Sequence, residues 1–104
     1  MTVEKKIQVK ISQEKLAIFC RKYHIRKLSL FGSVLRDDFG PSSDVDVLVE
    51  FESDKVPGYF RFFDMEEELS TLFEGRKIDI RTPKDLSRYF RARVLASAVV
   101  QYAA

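Results

Sequence analysis

The sequence has a single cysteine, no strong surplus of either charge and no apolar run long enough to span a bilayer. Cys20 alone cannot form an intramolecular disulfide, which favours a reducing compartment. The longest uncharged run, residues 94–104, is far shorter than the roughly 20 apolar residues of a membrane span. The amino terminus also lacks the apolar segment of a signal peptide. We therefore expect a cytoplasmic protein without a membrane anchor.

Charge and length narrow the class of protein further. A formal net charge of +2 is too small to indicate a dedicated nucleic-acid binder, so nucleic acid is not expected as a direct ligand. A hydrophobic content of 45% with 33% charged residues is typical of a globular domain, and no repeat or low-complexity segment is present. A chain of 104 residues has room for one core. The prediction is a single domain over residues 1–104.

Hydrophobic periodicity predicts three strands interleaved with four helices, in the order αβαβαβα. The strands are predicted at 28–31, 45–51 and 77–81; the helices are predicted after Ser12, at 33–39, at 59–73 and from Thr82-Pro83 onwards. Gly75 is predicted as a helix cap, and Leu86, Phe90 and Val94 as the inner stripe of the last helix. This order favours an α+β fold in which helices flank a small sheet.

Gly32 and Ser33 lie where the first predicted strand passes into a short helix. A glycine at this corner allows the backbone to approach a ligand closely, because it has no Cβ. The start of the helix offers unpaired N–H groups and the positive end of a dipole, and the Ser33 hydroxyl adds a donor. The corner is suited to the phosphates of a nucleotide, although a plain turn with a helix cap has the same composition.

Three aspartates follow this corner. Asp44 and Asp46 follow Ser33 after ten intervening residues and are two apart at the start of a strand, so their side chains project from one sheet face. Asp79 lies between two isoleucines in a later strand and joins the pair if the two strands are neighbours. Three adjacent carboxylates repel one another unless cations neutralise them, and magnesium prefers such oxygen ligands. The alternative is a turn acid and two solvated strand positions.

A cluster of this kind predicts nucleotidyl transfer with two magnesium ions. Asp44 and Asp46 would hold the ion that binds the triphosphate of the nucleotide. Asp79 would share the ion that lowers the pKa of the acceptor hydroxyl, or would accept its proton. Arg36, one turn into the short helix, is a candidate contact for the phosphates or for departing pyrophosphate.

The segment LFGSVLRDDFGPSSDVDVLVEF, together with the later RKIDIRTP, closely resembles the minimal nucleotidyltransferases of the polymerase-β superfamily. Their signature is Gly-Ser, ten residues, Asp-X-Asp and a third Asp on a following strand, which corresponds here to Gly32, Ser33, Asp44, Asp46 and Asp79. The likeness runs from about Leu28 to the carboxyl terminus. It implies the polymerase-β-like nucleotidyltransferase fold, with a mixed sheet and with catalytic and metal-binding roles for the three aspartates.

Members of this length resemble the MntA antitoxins of HEPN/MNT toxin–antitoxin pairs. That resemblance implies an adenylyltransferase that uses ATP to place AMP on a tyrosine of a HEPN toxin ribonuclease. Two alternatives stay open: a small-molecule nucleotidyltransferase of the aminoglycoside-modifying kind, and a non-catalytic module that neutralises a toxin by binding alone. The carboxy-terminal apolar run and the phenylalanines near residue 60 exceed what one buried helix face requires, which predicts a protein interface or a homo-oligomer formed through the last helix.

Overall fold

The computed structural model describes residues 11–35, 40, 43–53, 55 and 57–104, except for the side chains of Ser33, Leu35 and Tyr59. The helices in this part of the chain are α1 (Gln13–Lys22), α2 (Tyr59–Leu72) and α3 (Arg88–Ser97), and the strands are β1 (Ile25–Phe31), β2 (Val45–Phe51), β3 (Ile78–Arg81) and β4 (Val99–Ala103). Two 3-10 segments lie at Gly32–Leu35 and Pro83–Asp85. The predicted α+β class is confirmed.

The sheet is mixed, with the strand order β3-β2-β1-β4. β1 is antiparallel to both of its neighbours, whereas β2 and β3 are parallel. Since parallel neighbours need a crossover connection, α2 supplies the link between β2 and β3. In this pairing Asp46 of β2 lies opposite Asp79 of β3.

The two faces of the sheet have different coverings, because side chains alternate along each strand. The first face packs against α1 and α2 and forms the larger core, which includes Leu28, Leu30, Val45, Val47, Val49, Ile78, Leu16, Phe19, Met65 and Leu69. The second face carries a smaller cluster made by Phe31, Leu48, Leu86 and Val94. Asp46 shares this second face with Leu48. The aspartates therefore lie beside the small cluster, away from the main core.

Two predicted helix ends take the expected form, with one difference. The Ser12 hydroxyl accepts a hydrogen bond from the Lys15 amide at 3.2 Å, so Ser12 caps α1 as predicted. At the end of α2, Glu74 and Gly75 both have left-handed backbones, with φ of 60° and 82°. The Gly75 amide donates to the Ser70 carbonyl at 2.8 Å. The helix therefore ends in a Schellman-type turn, and its first left-handed residue is Glu74.

The carboxyl terminus differs from its prediction. The last helix does not start at Thr82-Pro83 as predicted: Pro83–Asp85 is a separate 3-10 segment, and Ser87 caps α3, which runs from Arg88 to Ser97. Val99–Ala103 then forms β4, an edge strand paired with β1. The predicted αβαβαβα order was therefore incomplete, because the observed order ends with the additional strand β4. The apolar run that suggested a helix buried on all sides is divided between a helix and a strand, and short apolar runs do not distinguish the two. Phe90 also departs from the predicted inner stripe, since its side chain is 49% exposed.

None of the helices in the described ranges has the length and the apolar character that a membrane crossing requires. The longest of them, α2, has 14 residues. The predicted short helix at 33–39 is described only in part: residues 32–35 form a 3-10 turn, and residues 36–39 lie outside the described residues.

Candidate active site

Asp46 and Asp79 line one cavity of about 480 Å³ on the second face of the sheet. They come from neighbouring parallel strands and are direct register partners, which confirms the predicted pairing of the two strands. The cavity is lined by Phe31, Gly32, Asp46, Asp79, Arg81, Asp85, Leu86, Ser87 and Phe90. Its size is within the range of small-molecule sites.

Gly32 brings the backbone of the strand–turn corner against the Asp46 carboxylate. Its φ is +71°, in the region that side-chain-bearing residues rarely adopt. A Cβ added at this position would lie 2.3 Å from Oδ2 of Asp46. Glycine is thus required here both for backbone conformation and for space.

Asp79 is held by Arg81, two residues further along the same strand. Arg81 Nε lies 3.2 Å from Asp79 Oδ1, and Nη2 donates to Oδ2 at 3.4 Å. Both side chains are about half exposed, so the pair lies in the open cavity. Burial, and then the negative charge of Asp79, raise the pKa of nearby Glu66. Lys77, and then Arg81, oppose this rise in the Glu66 pKa with their positive charges, and Arg81 also pairs directly with Asp79.

Asp44 precedes β2 and is exposed, and it does not line the cavity. Within the ranges that the structure describes, no group of three or more His, Cys, Asp or Glu side chains is assembled to hold a metal ion. The two aspartates that do converge fit a divalent cation in chemistry, since carboxylate oxygens are the ligands that magnesium prefers. Of the three predicted aspartates, Asp46 and Asp79 therefore converge in the cavity, whereas Asp44 lies two residues before Asp46 and outside the cavity lining.

The predicted phosphate contacts at the Gly32 corner are only partly covered by the described residues. Within the described residues, Gly32–Leu35 forms a 3-10 turn at the start of the helix that was predicted at this corner. The Ser33 side chain and the whole of Arg36 lie outside the described residues. Their proposed phosphate contacts stay predictions.

Four residues that line the cavity were not predicted from the sequence as site residues. They are Arg81 of β3 and, from the segment after β3, Asp85, Ser87 and Phe90. Arg81 had a detectable signal, because a residue two positions after Asp79 in a strand must share its face. Asp85 had a second signal: its carboxylate accepts from the Thr82 amide and hydroxyl, both at 3.0 Å, in the capping arrangement that starts the segment.

The family model described as the nucleotidyltransferase domain matches residues 12–101, and the chain belongs to that family. The resemblance predicted from the sequence is therefore confirmed.

Two curated relatives indicate the part of the family to which the chain is similar. Protein adenylyltransferase MntA of Thermococcus cleftensis is 32% identical over 78 residues, which cover 75% of this chain and 76% of the relative. MJ0128 of Methanocaldococcus jannaschii, a candidate protein adenylyltransferase, is 40% identical over 63 residues. That match covers 61% of this chain and 61% of the relative, so the chain spans less than two thirds of that protein's length.

Two solved structures share the fold. A candidate minimal nucleotidyltransferase superposes with a TM-score of 0.68 at 28% identity, covering 84% of this chain and 86% of that one. A toxin–antitoxin structure with AMP-PNP gives a TM-score of 0.70 at 14% identity, covering 90% of this chain and 75% of the other. At that identity the second likeness concerns the fold alone.

Proposed function

We propose that this chain is a magnesium-dependent protein adenylyltransferase that transfers AMP from ATP to a tyrosine of a cognate HEPN toxin ribonuclease. The observation that carries the proposal is the pairing of Asp46 with Asp79 in a cavity that also contains the Gly32 corner. A binding module that acts by occlusion alone does not require two convergent carboxylates beside a glycine corner.

The relatives support the choice of nucleotide and of acceptor class. MntA is named as a protein adenylyltransferase, and its match covers three quarters of this chain. A toxin–antitoxin structure with AMP-PNP shares the fold. AMP-PNP is an ATP analogue, so the comparison favours ATP as the donor. The HEPN identity of the partner and the tyrosine acceptor rest on the resemblance of the sequence to the antitoxins.

In the proposed reaction the acceptor oxygen forms a bond to the α-phosphorus of ATP. The bond from that phosphorus to the bridging oxygen breaks, pyrophosphate leaves, and the hydroxyl proton is transferred to a base. Asp46 and Asp79, with Asp44, would hold Mg²⁺, which neutralises phosphate charge and lowers the pKa of a bound hydroxyl. Asp79 would also accept the proton. Gly32, which has no Cβ, would allow phosphate oxygens to approach the backbone of the corner.

The test is AMP transfer to the protein encoded beside this chain, measured by mass spectrometry after incubation with ATP and Mg²⁺. We expect a tyrosine of that protein to gain AMP. Asp46→Asn and Asp79→Asn should each slow transfer by at least about a thousandfold, roughly 4 kcal/mol of barrier. Asp64→Asn is the matched control, because Asp64 is an exposed acid of α2 outside the cavity.

The outcomes separate the three hypotheses. Transfer lost in both cavity variants and retained in the control supports the proposal. Transfer of AMP to an aminoglycoside in place of the protein would replace it with the small-molecule alternative. Full neutralisation of a toxin by the two cavity variants, with no AMP on the toxin, would favour occlusion and overturn the enzymatic role.

A further inference from the structure

We propose that Phe90 is the platform on which the nucleobase stacks in this cavity. The inference rests on the proposed function, and it adds a subsite for a planar heteroaromatic ring to the phosphate and metal end of the site. No residue of the sequence signature provides such a subsite.

Phe90 is fixed in the wall of the cavity by the start of α3. Its amide donates to the Ser87 hydroxyl at 3.3 Å, which caps the helix, and both residues line the cavity. Leu86, on the same segment, is only 6% exposed and packs with Phe31 in the small cluster. Phe90 is therefore a half-exposed phenyl ring in the lining of a cavity that the buried Leu86 and Phe31 also line.

The lining of the cavity combines charged and apolar side chains. The sheet contributes the charged side chains of Asp46, Asp79 and Arg81 and the apolar ring of Phe31. The segment that follows β3 contributes the apolar side chains of Leu86 and Phe90, together with Asp85 and Ser87. A nucleoside triphosphate has a charged chain at one end and a flat ring with apolar faces at the other. If the phosphates bind at the Gly32 corner, the base can stack on Phe90 in the same cavity.

Other exposed aromatic rings do not share this position. Tyr89 is 83% exposed and adjacent in sequence, but it does not line the cavity. Phe60 is 82% exposed on α2 and also lies outside it. Among the aromatic side chains that the structure describes in the cavity lining, Phe31 is buried and Phe90 is open. Stacking on an aromatic ring tolerates any base, because every base has a π face. The subsite should therefore distinguish a nucleotide from a bare polyphosphate.

The experiment compares two ligands by isothermal titration calorimetry with Mg²⁺ present: α,β-methylene-ATP, which cannot transfer AMP, and inorganic tripolyphosphate, which lacks a base. We expect Phe90→Ala to weaken binding of the ATP analogue by about tenfold or more, the effect of losing one stacking contact. Tripolyphosphate binding should change by less than about twofold, since the phosphate contacts are retained. Phe90→Tyr, which keeps the ring, should bind the analogue like the unmodified protein.

Tyr89→Ala is the matched control, since it removes the neighbouring ring outside the cavity and should affect neither ligand. Circular dichroism of each variant checks the fold. If Phe90→Ala binds the analogue as tightly as the unmodified chain, the stacking platform is wrong while the proposed function stands. Equal weakening of both ligands also overturns it, since the effect would then not concern the base. If the unmodified chain binds neither ligand, the proposed function itself fails and the platform fails with it.

Discussion

The backbone of Gly32 and the carboxylate of Asp46 occupy adjoining space, so that a single added methyl group at residue 32 would lie 2.3 Å from Asp46 Oδ2. The two residues come from different elements, the 3-10 turn after β1 and the strand β2. The Gly32 corner and the Asp46 carboxylate therefore adjoin directly, and a side chain at residue 32 would have to displace that carboxylate.

Gly32→Ala should abolish most AMP transfer, by at least about a hundredfold, through displacement of the Asp46 carboxylate. It should also cost about 1–3 kcal/mol of unfolding free energy, because φ is +71°. Gly75→Ala separates the two effects: its φ is +82°, but an added Cβ meets nothing within 4 Å. We expect Gly75→Ala to lose stability in urea unfolding and to keep its transfer rate. Equal rates for both variants would contradict the steric explanation.

Arg81→Gln should change cation and phosphate binding in opposite directions. The guanidinium contacts both oxygens of Asp79, so a divalent cation has to compete with it for that carboxylate. Without Arg81, Mn²⁺ should bind several-fold more tightly in the absence of nucleotide, and tripolyphosphate should bind about tenfold more weakly. Calorimetric titration measures both. Arg93→Gln, an exposed arginine of α3 outside the cavity, is the control. Looser Mn²⁺ binding by Arg81→Gln would refute the competition.

Tyr23 should make stability depend on alkaline pH. The buried Tyr23 hydroxyl donates to Glu68, and burial followed by this hydrogen bond raises the pKa of Tyr23 to about 12. The unfolded chain has a tyrosine pKa of about 10. The folded state therefore retains a proton that the unfolded state loses, and stability should fall as the pH rises from about 10 to 12, by at most about 3 kcal/mol.

Tyr23→Phe removes this ionisation and tests the assignment. Below pH 9 the variant should be less stable than the unmodified chain, because Glu68 loses a donor. Between pH 10 and 12 the difference should shrink, as only the unmodified chain loses the contribution of Tyr23. Urea unfolding midpoints across this range measure it. If the unfolding midpoints of the two proteins fall in parallel above pH 10, a group other than Tyr23 causes the loss of stability at alkaline pH.

Self-association through the carboxy-terminal elements stays a prediction, now assigned to α3 and the edge strand β4. Leu95 and Val100 are each nearly half exposed there. An edge strand presents backbone groups that pair readily with another chain, and a lysine on it opposes such pairing. We expect the chain to self-associate in light scattering and Val100→Lys to shift it to monomer, with the same far-ultraviolet circular dichroism. Ile18→Lys, an exposed apolar position on α1, is the control. A monomeric unmodified chain would end this hypothesis.

The sequence was most informative where periodicity and spacing are local. The alternating valines of β2 and the helical spacing within α2 were predicted almost to their ends. The failures concern the carboxyl terminus. Val99–Ala103 has no turn residue before it and an apolar composition shared by helices and strands, so only its pairing with β1 decides its conformation. The left-handed backbone of Glu74 could not be predicted for a similar reason. The hydrogen-bonded turn that ends α2 imposes this conformation, although glutamate by itself disfavours it.

The chain itself determined which chemical groups are available: a glycine at a strand–turn corner, aspartates on alternating strand positions and an arginine two residues after Asp79. Alternation is a property of the extended backbone, so the face on which each group lies follows from the sequence alone. Tertiary structure decided which of these groups meet. The parallel pairing of β2 with β3 places Asp46 beside Asp79, and the return of the chain through α3 brings Phe90 to the same cavity. Asp46 is 33 positions from Asp79 and 44 positions from Phe90 in the sequence, so packing of the whole sheet and its helices selects this arrangement.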